Sequence, residues 1–158
     1  QTYSNLEILV SDDGSRDGSQ AYVRSIEGED NRVRLLPVNP NPGLFTNINY
    51  LLSQVGGDAF CILGDDDRLL PRFVERLITP LAADPAVIAS FADHWIVDPV
   101  GNTLGGRTDE NSANFGRAGL SEGVLSDPML TAMRGSMCMG FSLYRSSVFK
   151  GEEFDLTC

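Results

Sequence analysis

Short apolar runs recur along the chain, and segments with more polar residues separate them. Gly, Asn, Asp or Pro residues lie close to most of these runs, and each run is too short for a buried helix. We therefore expect the runs to form buried strands. The predicted strands cover residues 6–10, 33–38, 59–63, 86–92 and 138–144.

Helices are predicted in the segments between these strands. Apolar residues recur with helical spacing over residues 44–55 and 71–80, and a turn rich in Asn and Pro at residues 39–43 precedes the first of these helices. Pro71 can occupy the first turn of the second, and Pro80 is expected to disturb it. Two further helices are expected over residues 17–27 and 127–134.

This order of strands and helices predicts an α/β fold. Because the strands are continuously apolar, we expect a mainly parallel sheet with helices on both faces, in which ligands bind at the carboxyl ends of the strands. The 158 residues suffice for a single domain. Residues 101–123 are rich in Gly, Asn, Ser and Thr and predict a mobile surface loop beside a site.

Two clusters of acidic residues follow two of the predicted strands. Asp12 and Asp13 come after the first strand, and the triplet at residues 65–67 comes after the third. Parallel pairing would bring both clusters to the same edge of the sheet. Adjacent carboxylates repel one another unless a cation offsets their charge, and a partial set of oxygen ligands suits Mg²⁺ or Mn²⁺ shared with substrate phosphates. The alternative is that both clusters are solvated turn and helix-capping residues.

The amino-acid composition limits the classes of binding partner and the cellular compartment that we expect. Asp and Glu total 22 against 12 Lys and Arg, so the formal net charge is −10, which opposes binding to nucleic acid. Cys61, Cys138 and Cys158 lack CxxC spacing and fit reduced thiols, which favours the cytoplasm. No apolar stretch reaches the roughly 20 residues that span a bilayer. We expect a cytoplasmic protein, with peripheral attachment at the inner face of the membrane as an option.

Residues 1–19, QTYSNLEILVSDDGSRDGS, resemble the QTYxNxEIIVVDDGSTDGS segment of the family 2 glycosyltransferases, which have the GT-A (Rossmann-like) fold. Gly43 and Asn49 resemble the family's NxGxxxARN helix start. Residues 63–67, LGDDD, with Pro71 resemble its LDSDDxxxP motif. The resemblance is strong over residues 1–100 and weaker over residues 141–149.

The resemblance implies roles for both acidic clusters. Asp13, with Asp12 beside it, would contact the uracil or ribose of the donor, and Asp65 would be a further nucleotide contact. Asp66 would ligate the metal directly, with Asp67 as a further ligand. Two positions depart from the family, because its first motif Asp falls on Gly64 and the Arg of its ARN step falls on Ile48.

The implied reaction is transfer of a sugar from a nucleotide-diphosphate sugar, first of all a UDP-sugar, to an acceptor hydroxyl with inversion. The acceptor would be a saccharide, a lipid-linked saccharide or a protein, and the cofactor Mn²⁺ or Mg²⁺. We expect residues 1–158 to be a single GT-A domain, incomplete at both ends, lacking its first strand and a catalytic base expected after Cys158. Residues 1–100 would bind the nucleotide-sugar, and residues 101–158 would form a flexible loop and the acceptor side.

Two other functions fit part of the pattern. A response-regulator receiver domain also has an acidic pair after an early strand and an Asp after the third, but it needs a Lys late in the sheet, and Lys150 is the only Lys. A catalytically inactive nucleotide- or carbohydrate-binding relic is the second alternative. His94, between Asp93 and Trp95, is expected to be a structural or surface residue.

Overall fold

The computed structural model of the protein describes residues 1–36 and 43–154. The chain divides into two compact units. Of the described residues, the first unit comprises 2–36, 43–60 and 145–154, and the second comprises Gln1 and Cys61–Tyr144.

The first unit is built on a parallel pair of strands. Strand β1 pairs with β2, with Ile8 opposite Val33 and Val10 opposite Leu35. The buried side chains of Val33, Leu36 and Ile48 belong to its core. The regular elements of this unit are β1 (Ile8–Val10), α1 (Ser19–Glu29), β2 (Val33–Leu35), α2 (Leu44–Gln54) and β3 (Ala59–Phe60).

These elements confirm the order predicted from the hydrophobic pattern. Both helices lie within two residues of their predicted starts, and the parallel register follows from apolar strands that are connected by a helix. Residues 37 and 38 of the second predicted strand, and residues 39–42 of the predicted turn, lie outside the described residues. The third strand is shorter than predicted, because the chain leaves it after Phe60 and turns at Gly64, whose carbonyl accepts from the Asp67 N–H at 3.3 Å.

The second unit contains three helices and an antiparallel strand pair. Strand β4 pairs with β5, with Ser90 opposite Leu143, and a 3₁₀ turn at Met139–Phe141 occupies the start of the predicted strand at residues 138–144. Its regular elements are α3 (Phe73–Ala83), β4 (Ala89–Phe91), α4 (Gly105–Asn114), α5 (Pro128–Met133) and β5 (Ser142–Arg145), the last residue of which falls in the first unit.

Pro80 does not end α3, although its sequence position predicts a disturbance there. The helix runs on to Ala83, and the Asp84 N–H donates to the Pro80 carbonyl at 3.2 Å. Val74, Leu77 and Leu81 are all buried along one face of this helix. Burial of a Leu side chain contributes about 1.5–3 kcal/mol, which offsets the hydrogen bond that proline cannot make.

The prediction of a loop over residues 101–123 was wrong for residues 105–114, which form α4. This helix has almost no apolar residues, so its sequence lacks hydrophobic periodicity. Polar contacts hold it instead, since the Ile96 N–H donates to Thr108 Oγ1 at 2.9 Å and Ser112 Oγ donates to Asp93 Oδ2 at 2.7 Å. Among the described residues, no helix is both long and apolar enough to cross a bilayer.

Candidate functional site

The first acidic pair lies in the loop that follows β1. Asp12 is half-buried, and its Oδ1 atom accepts from the backbone N–H groups of Gly14 and Ser15, both at 2.8 Å, and from Gln20 Nε2 at 3.2 Å. Partial burial raises the pKa of Asp12, but the hydrogen bonds from Ser15, Gly14 and Gln20 together outweigh it and hold the pKa below its ordinary value. Asp12 therefore stays charged and fixes the conformation of its own loop.

Asp13 is exposed and lies beside the start of α2. Its Oδ1 atom accepts from the N–H of Gly43, the residue that precedes this helix, at 3.3 Å. The same loop is attached to α2 a second time, because Ser11 Oγ donates to Asn47 Oδ1. The N-terminal end of α2 and the loop after β1 therefore form one structure, with the Asp13 carboxylate at its exposed side.

The second acidic cluster, Asp65, Asp66 and Asp67, is exposed in the loop at Gly64. A Cβ atom at Gly64 would come within 2.9 Å of Asp66 Oδ1 and 3.5 Å of Asp67 Oδ2. Both oxygens therefore approach one point beside the Gly64 backbone, and a side chain at position 64 would have to displace Asp66. The glycine at the position of the family's first motif Asp thus leaves room for the carboxylate of Asp66.

The chemistry of this loop fits a small divalent cation. Asp66 and Asp67 provide hard oxygen atoms on the same side of Gly64. Within residues 1–36 and 43–154, no group of three His, Cys, Asp or Glu side chains is arranged to hold a metal ion. Mg²⁺ commonly uses only one or two protein carboxylates and completes its shell with water and substrate phosphates, so a pair of carboxylates suffices for Mg²⁺ or Mn²⁺.

The structure places the predicted site residues in two separate groups. Asp12 and Asp13 belong to the first unit, and Asp65, Asp66 and Asp67 belong to the second. Each group is brought together within its own unit. The expectation that the two groups meet at one edge of the sheet stays a prediction.

An ion pair between a buried arginine and a half-exposed aspartate in the second unit has no counterpart in the sequence motifs. Arg117 Nε donates to Asp93 Oδ1 at 2.7 Å, and the Arg117 side chain is only 3% exposed whereas that of Asp93 is 49% exposed. Burial raises the pKa of Asp93, but hydrogen bonds from Ser112, Arg117 and the His94 N–H, with the charge of Arg117, hold it below its ordinary value. Asp93 is therefore a fixed carboxylate at the end of β4.

His94 is more constrained than a surface histidine. Its ring stacks on Phe141 with centroids 4.4 Å apart, and its Nδ1 atom is buried without a hydrogen-bond partner in the part of the chain that the structure describes. Burial lowers the pKa of His94 and the charge of Arg117 lowers it further, while Asp93 and Asp67 oppose these effects only in part. The imidazole is therefore neutral at pH 7.

These residues surround a cavity of about 540 Å³, which the sequence did not predict. Its wall comes from the segment after β4 and from one side of α4, and the residues that line it include Asp93, His94, Trp95, Thr108, Asp109 and Ser112. The run Asp-His-Trp was the only signal for it in the sequence. A cavity of this size lies within the range of ligand pockets, roughly 300–1,000 Å³.

The chain after β5 is attached to α2 in the first unit. Asn49 Nδ2 donates to the Phe154 carbonyl at 3.0 Å, the Phe154 N–H donates to Asn49 Oδ1 at 2.8 Å, and the Phe154 ring stacks on Phe45 at 5.8 Å. Asn49 therefore satisfies both backbone groups of one residue. Asp155 and Cys158 lie outside the described residues.

Replacing Asn49 with alanine should lower the free energy of unfolding by about 1–3 kcal/mol, because both hydrogen bonds to Phe154 are lost in a half-buried place. Asn49→Asp should also destabilise the protein, since a carboxylate cannot donate to the Phe154 carbonyl. Urea denaturation measures both variants. Asn5→Ala, at an exposed position of the same unit, is the control, and equal effects at Asn5 and Asn49 would contradict the proposed attachment.

Comparison with known proteins gives consistent matches. The sequence profile described as Glycosyl transferase family 2 matches residues 1–150. A GalNAc(5)-diNAcBac-PP-undecaprenol β-1,3-glucosyltransferase from Campylobacter jejuni is 28% identical over 159 aligned residues, which cover 98% of this chain and 47% of that protein. An uncharacterised glycosyltransferase from Haemophilus influenzae is 38% identical over 106 residues, which cover 66% of this chain and 41% of that protein.

A chondroitin synthase from Pasteurella multocida is 28% identical over 104 residues, 66% of this chain and 11% of that protein. The chain thus spans less than half the length of the curated relatives described here. The profile match covers both acidic clusters and the cavity beside Trp95.

Proposed function

The chain belongs to glycosyl transferase family 2, and we propose that it transfers a sugar from a nucleotide-diphosphate sugar to an acceptor hydroxyl, with inversion and with a divalent cation. The family gives the chain its GT-A fold and its class of activity, glycosyl transfer. The observation that carries the finer proposal is the approach of the Asp66 and Asp67 oxygens to one point beside Gly64.

Asp66 and Asp67 hold Mn²⁺ or Mg²⁺ in this proposal. When bound, the cation supplies positive charge that stabilises the departing nucleoside diphosphate. Two aspartates leave coordination positions for phosphate oxygens, which suits a metal shared with the substrate. The exposure of the triplet supports this role, because a donor diphosphate has to reach the carboxylates from solvent.

Asp12, Asp13 and Asp65 contact the nucleotide. The three hydrogen bonds that Asp12 Oδ1 accepts fix the loop, so Asp12 acts mainly by positioning its neighbour. Asp13 is exposed at the end of that ordered loop, where a carboxylate can accept from a ribose hydroxyl or a base N–H. Asp65, which directly precedes the two metal ligands in the sequence, is a further nucleotide contact in this proposal.

The acceptor side is assigned to residues 101–158 and the donor side to residues 1–100 of one GT-A domain. The acceptor is a saccharide, a lipid-linked saccharide or a protein. The undecaprenol-linked substrate in the name of the Campylobacter jejuni relative supports the lipid-linked class. In this reaction a carboxylate base deprotonates the acceptor hydroxyl. A cytoplasmic location, with peripheral attachment to the inner face of the membrane, would bring the protein to a lipid-linked acceptor. The net charge of −10 opposes binding to nucleic acid.

Isothermal titration calorimetry with UDP, GDP and dTDP, each with and without Mn²⁺, tests this proposal. We expect UDP to bind and its affinity to fall at least about tenfold without Mn²⁺, which corresponds to about 1.4 kcal/mol. Metal-independent nucleotide binding would contradict the role of Asp66 and Asp67. Absence of binding for all three nucleotides would favour the inactive relic.

A further inference from the structure

The cavity in the second unit has an aromatic wall. Trp95 lines it, and its side chain is 61% exposed although indole is among the largest apolar groups in proteins. Asp93 and His94, which precede Trp95 directly, are held by Arg117 and Phe141, so the backbone that carries the indole is anchored. An anchored, exposed aromatic ring provides a flat surface for the apolar face of a ligand.

The part of the cavity wall that α4 provides is polar. Thr108 Oγ1 accepts from the Ile96 N–H at 2.9 Å, so the Thr108 hydroxyl keeps its own hydrogen for donation. Asp109 adds an exposed carboxylate, which accepts hydrogen bonds about twice as strong as neutral ones. Aromatic and hydrogen-bonding walls that face one cavity suit a ligand with an apolar face and a rim of hydroxyl groups.

A buried polar atom in the wall supports a polar ligand. His94 Nδ1 has no hydrogen-bond partner in the described ranges 1–36 and 43–154, and a buried polar group left in that state costs about 1–3 kcal/mol. His94 lines the same cavity. A hydroxyl group of a ligand or an ordered water that reaches this atom would satisfy it, as donor or acceptor according to the tautomer of the ring.

The charge of the cavity selects against anionic ligands. Arg117 compensates the Asp93 carboxylate, whereas Asp109 forms no ion pair with any residue that the structure describes. The chain as a whole has a net charge of −10. A neutral polyhydroxylated ring therefore fits better than a nucleotide or a sugar phosphate.

The cavity also lies near the acidic loop of the same unit, because a Cβ atom at Gly140 would lie 3.8 Å from Asp67 Oδ2, and the next residue, Phe141, stacks on His94. We propose that the Trp95 cavity binds a neutral pyranose ring of the acceptor saccharide, with the ring on the indole and its hydroxyls on Asp109 and Thr108. This assignment rests on the glycosyltransferase function proposed above, and it names the substrate class of the acceptor side.

Intrinsic fluorescence tests this proposal directly, because Trp95 is the single tryptophan of the chain. The protein is titrated with methyl pyranosides of glucose, galactose, mannose, N-acetylglucosamine and N-acetylgalactosamine. We expect a saturable change in Trp95 emission with at least one of them. Asp109→Asn should raise its Kd at least about fivefold, through loss of a charged acceptor. Glu110→Gln, the next residue on α4, removes the same charge outside the cavity lining and should leave Kd unchanged.

Two results would overturn the saccharide site. The first is no saturable change with any pyranoside up to about 100 mM. The second is binding that Asp109→Asn and Glu110→Gln affect equally, which would place the ligand elsewhere. The calorimetric titration with UDP and Mn²⁺ separates this failure from failure of the proposed function. If no pyranoside binds but UDP still binds in a Mn²⁺-dependent manner, the saccharide site is rejected and the proposed glycosyl transfer is not.

Discussion

Replacing Asp66 with alanine should lower kcat/KM for sugar transfer by about 10²–10⁴-fold, measured in the complete protein with saturating Mn²⁺. In the proposed metal site, Asp66 Oδ1 is the carboxylate oxygen nearest to Gly64, and its loss would leave Asp67 alone to hold the cation. Metal stabilisation of a leaving group contributes several kcal/mol, and each 1.36 kcal/mol corresponds to a tenfold change in rate.

Two controls separate this effect from misfolding. Asp66 is exposed, so Asp66→Ala should leave the thermal unfolding midpoint within a few degrees of the wild type. Glu122→Gln removes a negative charge at another exposed position of the same unit and should leave kcat/KM unchanged. Substantial transfer by the Asp66→Ala protein at wild-type stability would refute the metal role.

The largest effect on stability is expected at Arg117. Arg117→Ala should lower the free energy of unfolding by about 2–4 kcal/mol, because it removes the partner of Asp93 and leaves Asn111 Oδ1 without its guanidinium donor. The value lies below that of a fully buried pair since Asp93 is half exposed. The guanidinium also lies over the Phe115 ring, 5.4 Å from its centroid, so packing is lost as well.

Urea denaturation of three variants tests this prediction. Arg117→Lys keeps the charge but loses the planar fork that reaches both Asp93 and Asn111, so it should be intermediate. Arg107→Ala, on the exposed side of α4, should change the free energy of unfolding by less than about 0.5 kcal/mol. If Arg117→Ala lowers the free energy of unfolding no more than Arg107→Ala does, the ion pair between Arg117 and Asp93 does not hold α4 in place.

The hydrophobic pattern was sufficient to predict the elements whose apolar side chains form the core. Strands β1 and β2 and helix α2 were predicted from the apolar residues of their segments, of which Val33, Leu36 and Ile48 are buried. Helix α5 lies within the predicted range 127–134, and its cap residue Asp127 accepts from the Leu130 N–H at 2.9 Å through Oδ1. In these cases the local signal and the tertiary structure agree.

Elements held by polar contacts were missed for a physical reason. Helix α4 depends on Ser112 and Thr108, whose partners Asp93 and Ile96 are distant in sequence, and no periodicity records such a contact. Arg117 is polar and lies next to glycine-rich sequence, so nothing local indicates that it is buried. The cavity beside Trp95 depends on the position of α4 and on the burial of Arg117, so the sequence did not indicate it either.

The acidic clusters were found from the sequence, because carboxylates after strands are visible as residue types. The sequence did not indicate which oxygens approach one another, and the position of Gly64 beside Asp66 and Asp67 came from the backbone turn. The pairing of Asn49 with Phe154 was also invisible, because it joins residues 105 positions apart.

The most direct test of the central claim is turnover of a donor by the complete protein. Phosphorus NMR can follow UDP-, GDP- and dTDP-sugars with Mg²⁺ and a mixture of saccharide and lipid-linked acceptors. The account predicts release of UDP from at least one UDP-sugar, lost on chelation of Mg²⁺ and in the Asp66→Ala protein. Donors that all remain intact, or release that persists after chelation, would contradict it.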